Sequence, residues 1–150
     1  MLIAVNDWEE KMSSNELRAV LPDGWRRAKG FSYGVCGTGR IPLYVAGQLA
    51  VVDGAAAPVP GMKLEDQFRL SLSNVVDVVV AAGGAAKDIA SLRVFVTNIA
   101  SFKNAQNAVA VAWSNVLGKH FPAMTLVEVT ALFEETALVE IEAVALLKQG

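Results

Sequence analysis

The sequence predicts an α+β domain, a mixed sheet with two helices on one of its faces. Three observations lead there. Residues 122–145, PAMTLVEVTALFEETALVEIEAVA, contain two runs that alternate with period two, the pattern of strands with unlike faces. Residues 63–82 repeat Leu64, Phe68, Leu72, Val75, Val76 and Val79 at intervals of three and four, which lines one face of a helix. The element order reads strand, strand, helix, strand, helix, strand, strand, which suits helices covering one side of a sheet.

In chain order, Ser13-Ser14-Asn15-Glu16 reads as a capping box opening a short helix, with Ser13 as N-cap. Pro22-Asp23-Gly24 stops it. Residues 1–25 are therefore expected to be an N-terminal extension, with Met12 a second start, and residues 26–150 a single domain. Two strands follow, Arg26 to Cys36 and Ile41 to Ala46, joined by the tight turn Gly37-Thr38-Gly39-Arg40. Residues 53–61, rich in proline, glycine and alanine, read as a loop. The helix from Lys63 to Ala82 ends at Gly83-Gly84, which accept left-handed dihedrals. Ser91 to Thr97 alternates Leu92, Val94 and Val96 against Arg93, Phe95 and Thr97, a strand. A second helix is expected with Ser101 as N-cap, closed by Gly118, carrying Phe102, Ala105, Val109, Trp113, Val116 and Leu117 on one face. The last two strands are separated by Leu132-Phe133-Glu134-Glu135-Thr136, short enough to predict an antiparallel hairpin.

Composition narrows the function. With 150 residues and 53% hydrophobic content, the chain can build one core. A net charge of −2 without a basic run argues against an electrostatically driven nucleic-acid surface. One cysteine, Cys36, forms no intramolecular disulfide and suits a reducing compartment, where it reads as packing. A single His120 beside a single Cys36 argues against a zinc site, which needs three or four ligands. His120, after Gly118-Lys119 at a helix end, reads as a surface residue favoured by the helix dipole. No apolar run reaches about 18 residues and the start lacks a basic n-region, so a cytoplasmic protein is expected.

Glutamates in a valine-rich strand are the first chemical hint, because a buried carboxylate without a partner is costly. PAMTLVEV followed by ALVEIEAVA resembles the C-terminal signature of the reactive-intermediate deaminase family, also called the Rid or YjgF family, P-A-R-S/T-x-V-x-V and then V-E-I-E-A-x-A. The resemblance continues through Phe31-Ser32-Tyr33, Tyr44-Val45-Ala46-Gly47-Gln48, Asn74-Val75 with Ala82-Gly83, and Phe95-Val96-Thr97-Asn98. It implies a chorismate-mutase-like fold, a homotrimer, and small-molecule clefts between subunits, with no cofactor and no metal. Self-association also suits a bare sheet face expected to carry Tyr44, Phe95, Met124, Leu126 and Val144.

Carried over residue by residue, the resemblance makes Glu140 the group that positions water or relays protons. It gives Tyr33 and the turn Ala46-Gly47-Gln48 to the substrate pocket, with Thr125 matching the Ser/Thr of the signature. Three positions depart: Met124 stands for the arginine, Ala46 for the serine of S-G-Q, and Asn98 for a common aspartate. The arginine forks onto a substrate carboxylate in the resembled family, and a thioether cannot do that. Another cation could, with Arg93, Arg40 or Arg69 as candidates. Each residue also has a plain structural reading: Glu140 and Glu142 as a solvated strand face, Tyr33 as a half-buried strand aromatic, Glu128 at solvent or a seam, Met124 as lining.

Three functions remain: hydrolytic deamination of a small enamine or imine with a non-standard substrate, a non-catalytic trimeric binder or sensor, and the ribonuclease or translation-inhibitor activity attributed to some relatives of the resembled family. The acidic balance disfavours the third. Glu140 and Tyr33 favour the first, and Met124 favours the second.

Overall fold

A computed structural model describes residues 16–27, 29–52, 55 and 57–149. A two-stranded antiparallel pair, β1 (Arg18–Val20) and β2 (Gly34–Cys36), stands apart from a four-stranded sheet. That sheet contains β3 (Arg40–Gln48), β4 (Ile89–Val96), β5 (Ala123–Glu128) and β6 (Val139–Lys148), in the order β3-β6-β4-β5. β6 pairs antiparallel with both β3 and β4, and β4 pairs parallel with β5, so the sheet is mixed. The helices are α1 (Leu64–Ala81), α2 (Ile99–Asn104) and α3 (Gln106–Leu117), with a 3-10 turn at Ala86–Asp88.

Period two decides the faces. Along β6, Val139, Ile141, Ala143 and Ala145 are buried, while Glu140, Glu142 and Val144 point the other way. The buried row meets Leu92, Val94 and Val96 of β4, and Phe68, Leu72, Val75 and Val79 of α1 complete the core with Val109, Trp113 and Leu117 of α3. Fully burying each large apolar side chain contributes about 1.5–3 kcal/mol. Helices thus cover one face, as expected, and the other stays open. Gly83 ends α1 with φ +85°, and its N–H donates to the Val80 carbonyl at 2.9 Å.

Buried polar groups tie loops to this layer. Gln67 Nε2 donates to the Thr136 carbonyl (2.9 Å) and its Oε1 accepts from the Leu138 N–H (2.8 Å), pinning the approach to β6. Asn74 Nδ2 donates to the Leu49 and Val51 carbonyls, both at 2.9 Å, fixing the exit from β3. Arg40, buried at the start of β3, pairs with Asp88 at 2.9 Å and donates to the Leu146 carbonyl.

Several expectations are corrected. β5 and β6 are not a hairpin: β4 lies between them. Residues 129–138 step over one strand, a displacement of about 10 Å at the usual strand spacing, which a segment of that length spans easily. Alternation reports the face of a strand and is silent about its neighbour. Ser13, Ser14 and Asn15 lie outside the described residues, and Arg18–Val20, expected as helix, is a strand held by its register against Gly34–Cys36. The strand expected from Arg26 begins only at Gly34; upstream of it Ser32 makes a single parallel bridge to Ala123. The second helix is two helices, broken at Ala105. Its cap is Asn98, whose Oδ1 accepts from the Ser101 N–H at 2.7 Å, so Ser101 sits three residues inside.

The open face also differs in membership. β5 is registered as Leu92 opposite Met124 and Val94 opposite Leu126. Residues opposite one another in a sheet share a face, so Met124 and Leu126 pack toward the helices. Thr125 and Val127 take the open side instead, with Tyr44, Phe95 and Val144.

Candidate functional site

The open face brings Glu140 and the Ala46-Gly47-Gln48 turn together. Pairing between β3 and β6 slips between Val45, opposite Ala143, and Gln48, opposite Ile141, a bulge that leaves a residue unpaired and re-aims the chain. Glu140 lies directly over Gly47: a side chain added there would meet the Glu140 Oε1, with Cδ at 2.8 Å and Cγ at 3.0 Å. Glycine is needed for that approach. Gln48 turns its amide back onto the Ala46 carbonyl at 3.2 Å.

The other strand glutamates are engaged. Glu142 accepts from Arg93, its opposite residue on β4. Glu128 Oε2 accepts from the Ile99 N–H at 2.6 Å, capping α2 rather than meeting solvent alone. Glu140, half-buried, accepts no hydrogen bond and no ion pair from the described residues. Its neighbour across the ladder is Phe95, and Phe95 lies opposite Val127.

The remaining site residues are dispersed. Met124 lies on the opposite face of the sheet, on the edge strand, with β4 between it and β6. Its row is three residues from that of Glu140, so the two backbones are separated by about 10 Å along the strands and about 10 Å across them. Thr125 is exposed on the open face opposite Arg93. Asn98 serves as the α2 cap and lines a depression with Lys63, Thr97 and Ser101. Tyr33 is in the segment before β2, its ring edge-on to Trp25 (5.0 Å) and Phe31 (5.5 Å), and it lines a second depression. Glu140 lines neither depression.

The candidate cations separate cleanly. Arg40 is buried with Asp88, and moving it would leave that carboxylate uncompensated. Arg69 is exposed on α1, in the layer opposite the open face. Arg93 stands on the open face, diagonal to Glu140, in an exposed pair with Glu142.

Two residues differ from their sequence reading. His120 is half-buried rather than a plain surface residue; its Nε2 is 2.7 Å from the Ile89 carbonyl, which can only accept. Cys36 has a basic neighbour invisible in the linear order, Arg18, whose guanidinium donates to Sγ at 3.2 Å through the β1–β2 register. Among the described residues, no group of three His, Cys, Asp or Glu side chains is placed to hold a metal ion. No described helix is long and apolar enough to cross a membrane.

Residues 26–147 match the family described as Endoribonuclease L-PSP. The chain belongs to this family, the Rid/YjgF proteins. TdcF of Escherichia coli K12, named as a reactive intermediate deaminase, is 34% identical over 103 residues, 69% of this chain and 77% of TdcF. The RutC family protein PH0854 of Pyrococcus horikoshii is 30% identical over the same shares of each chain. Among solved structures, the Rid protein YyfB of Yersinia pestis matches with TM-score 0.77 and 29% identity, over 88% of this chain and 99% of its own. E. coli TdcF with bound serine matches with TM-score 0.58 and 28% identity, over 86% and 98%. The mixed sheet with its helices on one side is accordingly the chorismate-mutase-like Rid fold.

Proposed function

We propose that this Rid protein hydrolyses a small enamine or imine, with Glu140 as the acid–base group. The observation that carries the reading is the idle Glu140 carboxylate, laid over Gly47 on an open face while Glu128 and Glu142 are engaged. A carboxylate with unused acceptor capacity can take a proton from water as the water oxygen adds to the C=N carbon. The substrate reacts as the iminium, so its nitrogen already carries the proton and addition gives a neutral carbinolamine. Glu140 returns its proton to that nitrogen and the C–N bond breaks. The hydroxyl proton, accepted by Glu140, leaves with ammonia as ammonium while the carbonyl forms. An enamine first gains a proton at carbon to become the iminium. The bulge at Ala46-Gly47 interrupts the ladder beside Glu140, and the serine bound to TdcF supports a ligand of amino-acid size.

Tyr33, Asn98, Met124 and Thr125 cannot all reach one small molecule beside Glu140 in a single chain. A cleft shared by two copies of a homotrimer would unite them, and we assign the site to such a cleft. The test uses imines generated by an amino-acid oxidase, with semicarbazide as the competing trap. Glu140→Gln is expected to keep the fold and assembly while lowering turnover about 10²–10⁴-fold. Unchanged turnover of a substrate that the native chain accepts would return Glu140 to a structural role.

Met124 favours a second reading, a binder without turnover, because an apolar side chain packed on the core stands where the resembled signature has arginine. That reading holds if the native chain is inert toward every imine offered yet binds the corresponding 2-keto acids.

A further inference from the structure

The depression beside Tyr33 has a chemistry that deamination at Glu140 does not use. It lies between the β1–β2 pair and the residues leading into β5, and encloses about 510 Å3, a volume typical of small-molecule sites. Arg27, Lys29 and Lys119 line it, and none of its described lining residues is Asp or Glu. The net charge is −2, and Arg40, Arg93 and Lys148 each have a carboxylate partner. Arg27, Lys29 and Lys119 have none among the described residues. Lys63, Arg69 and Lys103 also lack a carboxylate partner among the described residues, so what sets Arg27, Lys29 and Lys119 apart is that they line one depression.

Aromatic walls accompany the charge. Tyr33 is wedged edge-on between Trp25 and Phe31, and Phe121 stacks on Trp113 at 6.2 Å and 12°. These contacts hold the rings in place before anything binds, which lowers the ordering cost of association. The polar neighbours are already committed: the Ser32 hydroxyl donates to the Phe121 carbonyl at 2.6 Å, and His120 is bonded to the Ile89 carbonyl. Recognition is left to ring faces and positive charge.

We infer that this pocket binds a small aromatic anion, its ring among Phe31, Tyr33 and Phe121 and its carboxylate or phosphate against Arg27, Lys29 and Lys119. Neither Glu140, Gly47 nor Met124 of the same chain lines it, while Tyr33 is common to this pocket and to the proposed reaction.

The experiment is calorimetric titration of the full chain at low salt with phenyl phosphate, 3-phenylpropanoate, inorganic phosphate and 2-phenylethanol. Both aromatic anions are expected to bind, the tighter one naming the preferred charge, with inorganic phosphate and the neutral alcohol at least about tenfold weaker. Arg27→Glu and Lys119→Glu, both at exposed positions, are expected to weaken the aromatic anions about tenfold or more. Added salt should do the same to the unaltered chain. Equal binding of 2-phenylethanol, or affinities indifferent to both charge reversals and to salt, would overturn the proposal.

Discussion

At the scale of single residues, the contact between Gly47 and Glu140 does the most to define the site. A methyl at residue 47 would collide with the end of the Glu140 side chain rather than with backbone, so the carboxylate can move while the sheet stays. Gly47→Ala is therefore expected to change stability by less than about 1 kcal/mol and to lower deaminase turnover about 10²-fold, the cost of a misplaced catalytic group. Denaturation and the semicarbazide assay together check this; undiminished turnover would show that the position of the carboxylate is immaterial. Met124 poses the complementary question. It is half-buried on the edge strand, where an arginine could run its stem along the core and carry its head outward. Met124→Arg is expected to raise hydrolysis of 2-aminoacrylate and 2-iminopropanoate at least about tenfold, the value of one charge-assisted contact to the carboxylate. If it does not, Arg93, already on the open face and only loosely committed to Glu142 because exposed ion pairs are weak, becomes the residue to replace. Glu140, Gly47, Ala46 and Gln48 were legible as candidate residues from the family resemblance. Their physical relation was not, because a bulge and a close approach leave no periodic trace.

At the scale of elements, α1 was legible almost to the residue, and β4 and β6 were legible as strands, since each repeats its apolar side chains at its own period. β4 begins earlier than its alternation indicated, at Ile89, and β6 runs on to Lys148. What resisted reading was pairing. β5 joins β4 in parallel, and β6 inserts between β3 and β4, because neighbours in a sheet are chosen by contacts distant in sequence. β1 is three residues long and exists only through its partner, so local propensity pointed to the wrong element. Gln67 illustrates how such long-range order is held: one buried amide ties the Thr136 carbonyl and the Leu138 N–H, two residues before Glu140. Gln67→Leu would strand both backbone groups, and unsatisfied buried groups cost about 1–3 kcal/mol each. The expected loss is about 2–4 kcal/mol in a urea titration, with turnover falling as the approach to Glu140 loosens. A loss below about 0.5 kcal/mol, the usual range for an unremarkable surface change, would show that residues 129–138 are held in some other way.

At the scale of the whole molecule, the sheet has helices on one side only, and the bare side carries Tyr44, Phe95, Val127 and Val144. Tyr44 is 77% exposed, and apolar side chains left in water beside the Arg93–Glu142 pair mark an association surface. The dispersal of the site argues in the same direction. Met124 and Glu140 lie on opposite faces of one sheet, so only a second copy can bring one chain's Met124 toward another's Glu140. Closed rings are the usual solution for identical chains joined head to tail, and three copies are the ring that the Rid resemblance implies. Light scattering at micromolar concentration is expected to give about three times 15.9 kDa. Tyr44→Glu would place a charge on the covered face, on the edge strand β3, and its burial without a partner is costly enough to favour separate chains. That variant should scatter as a monomer, retain the helical signal of α1 and α3, and lose turnover although Glu140 and Gly47 are untouched. A native monomer would dissolve the shared cleft, and a Tyr44→Glu trimer would move the interface off the open face.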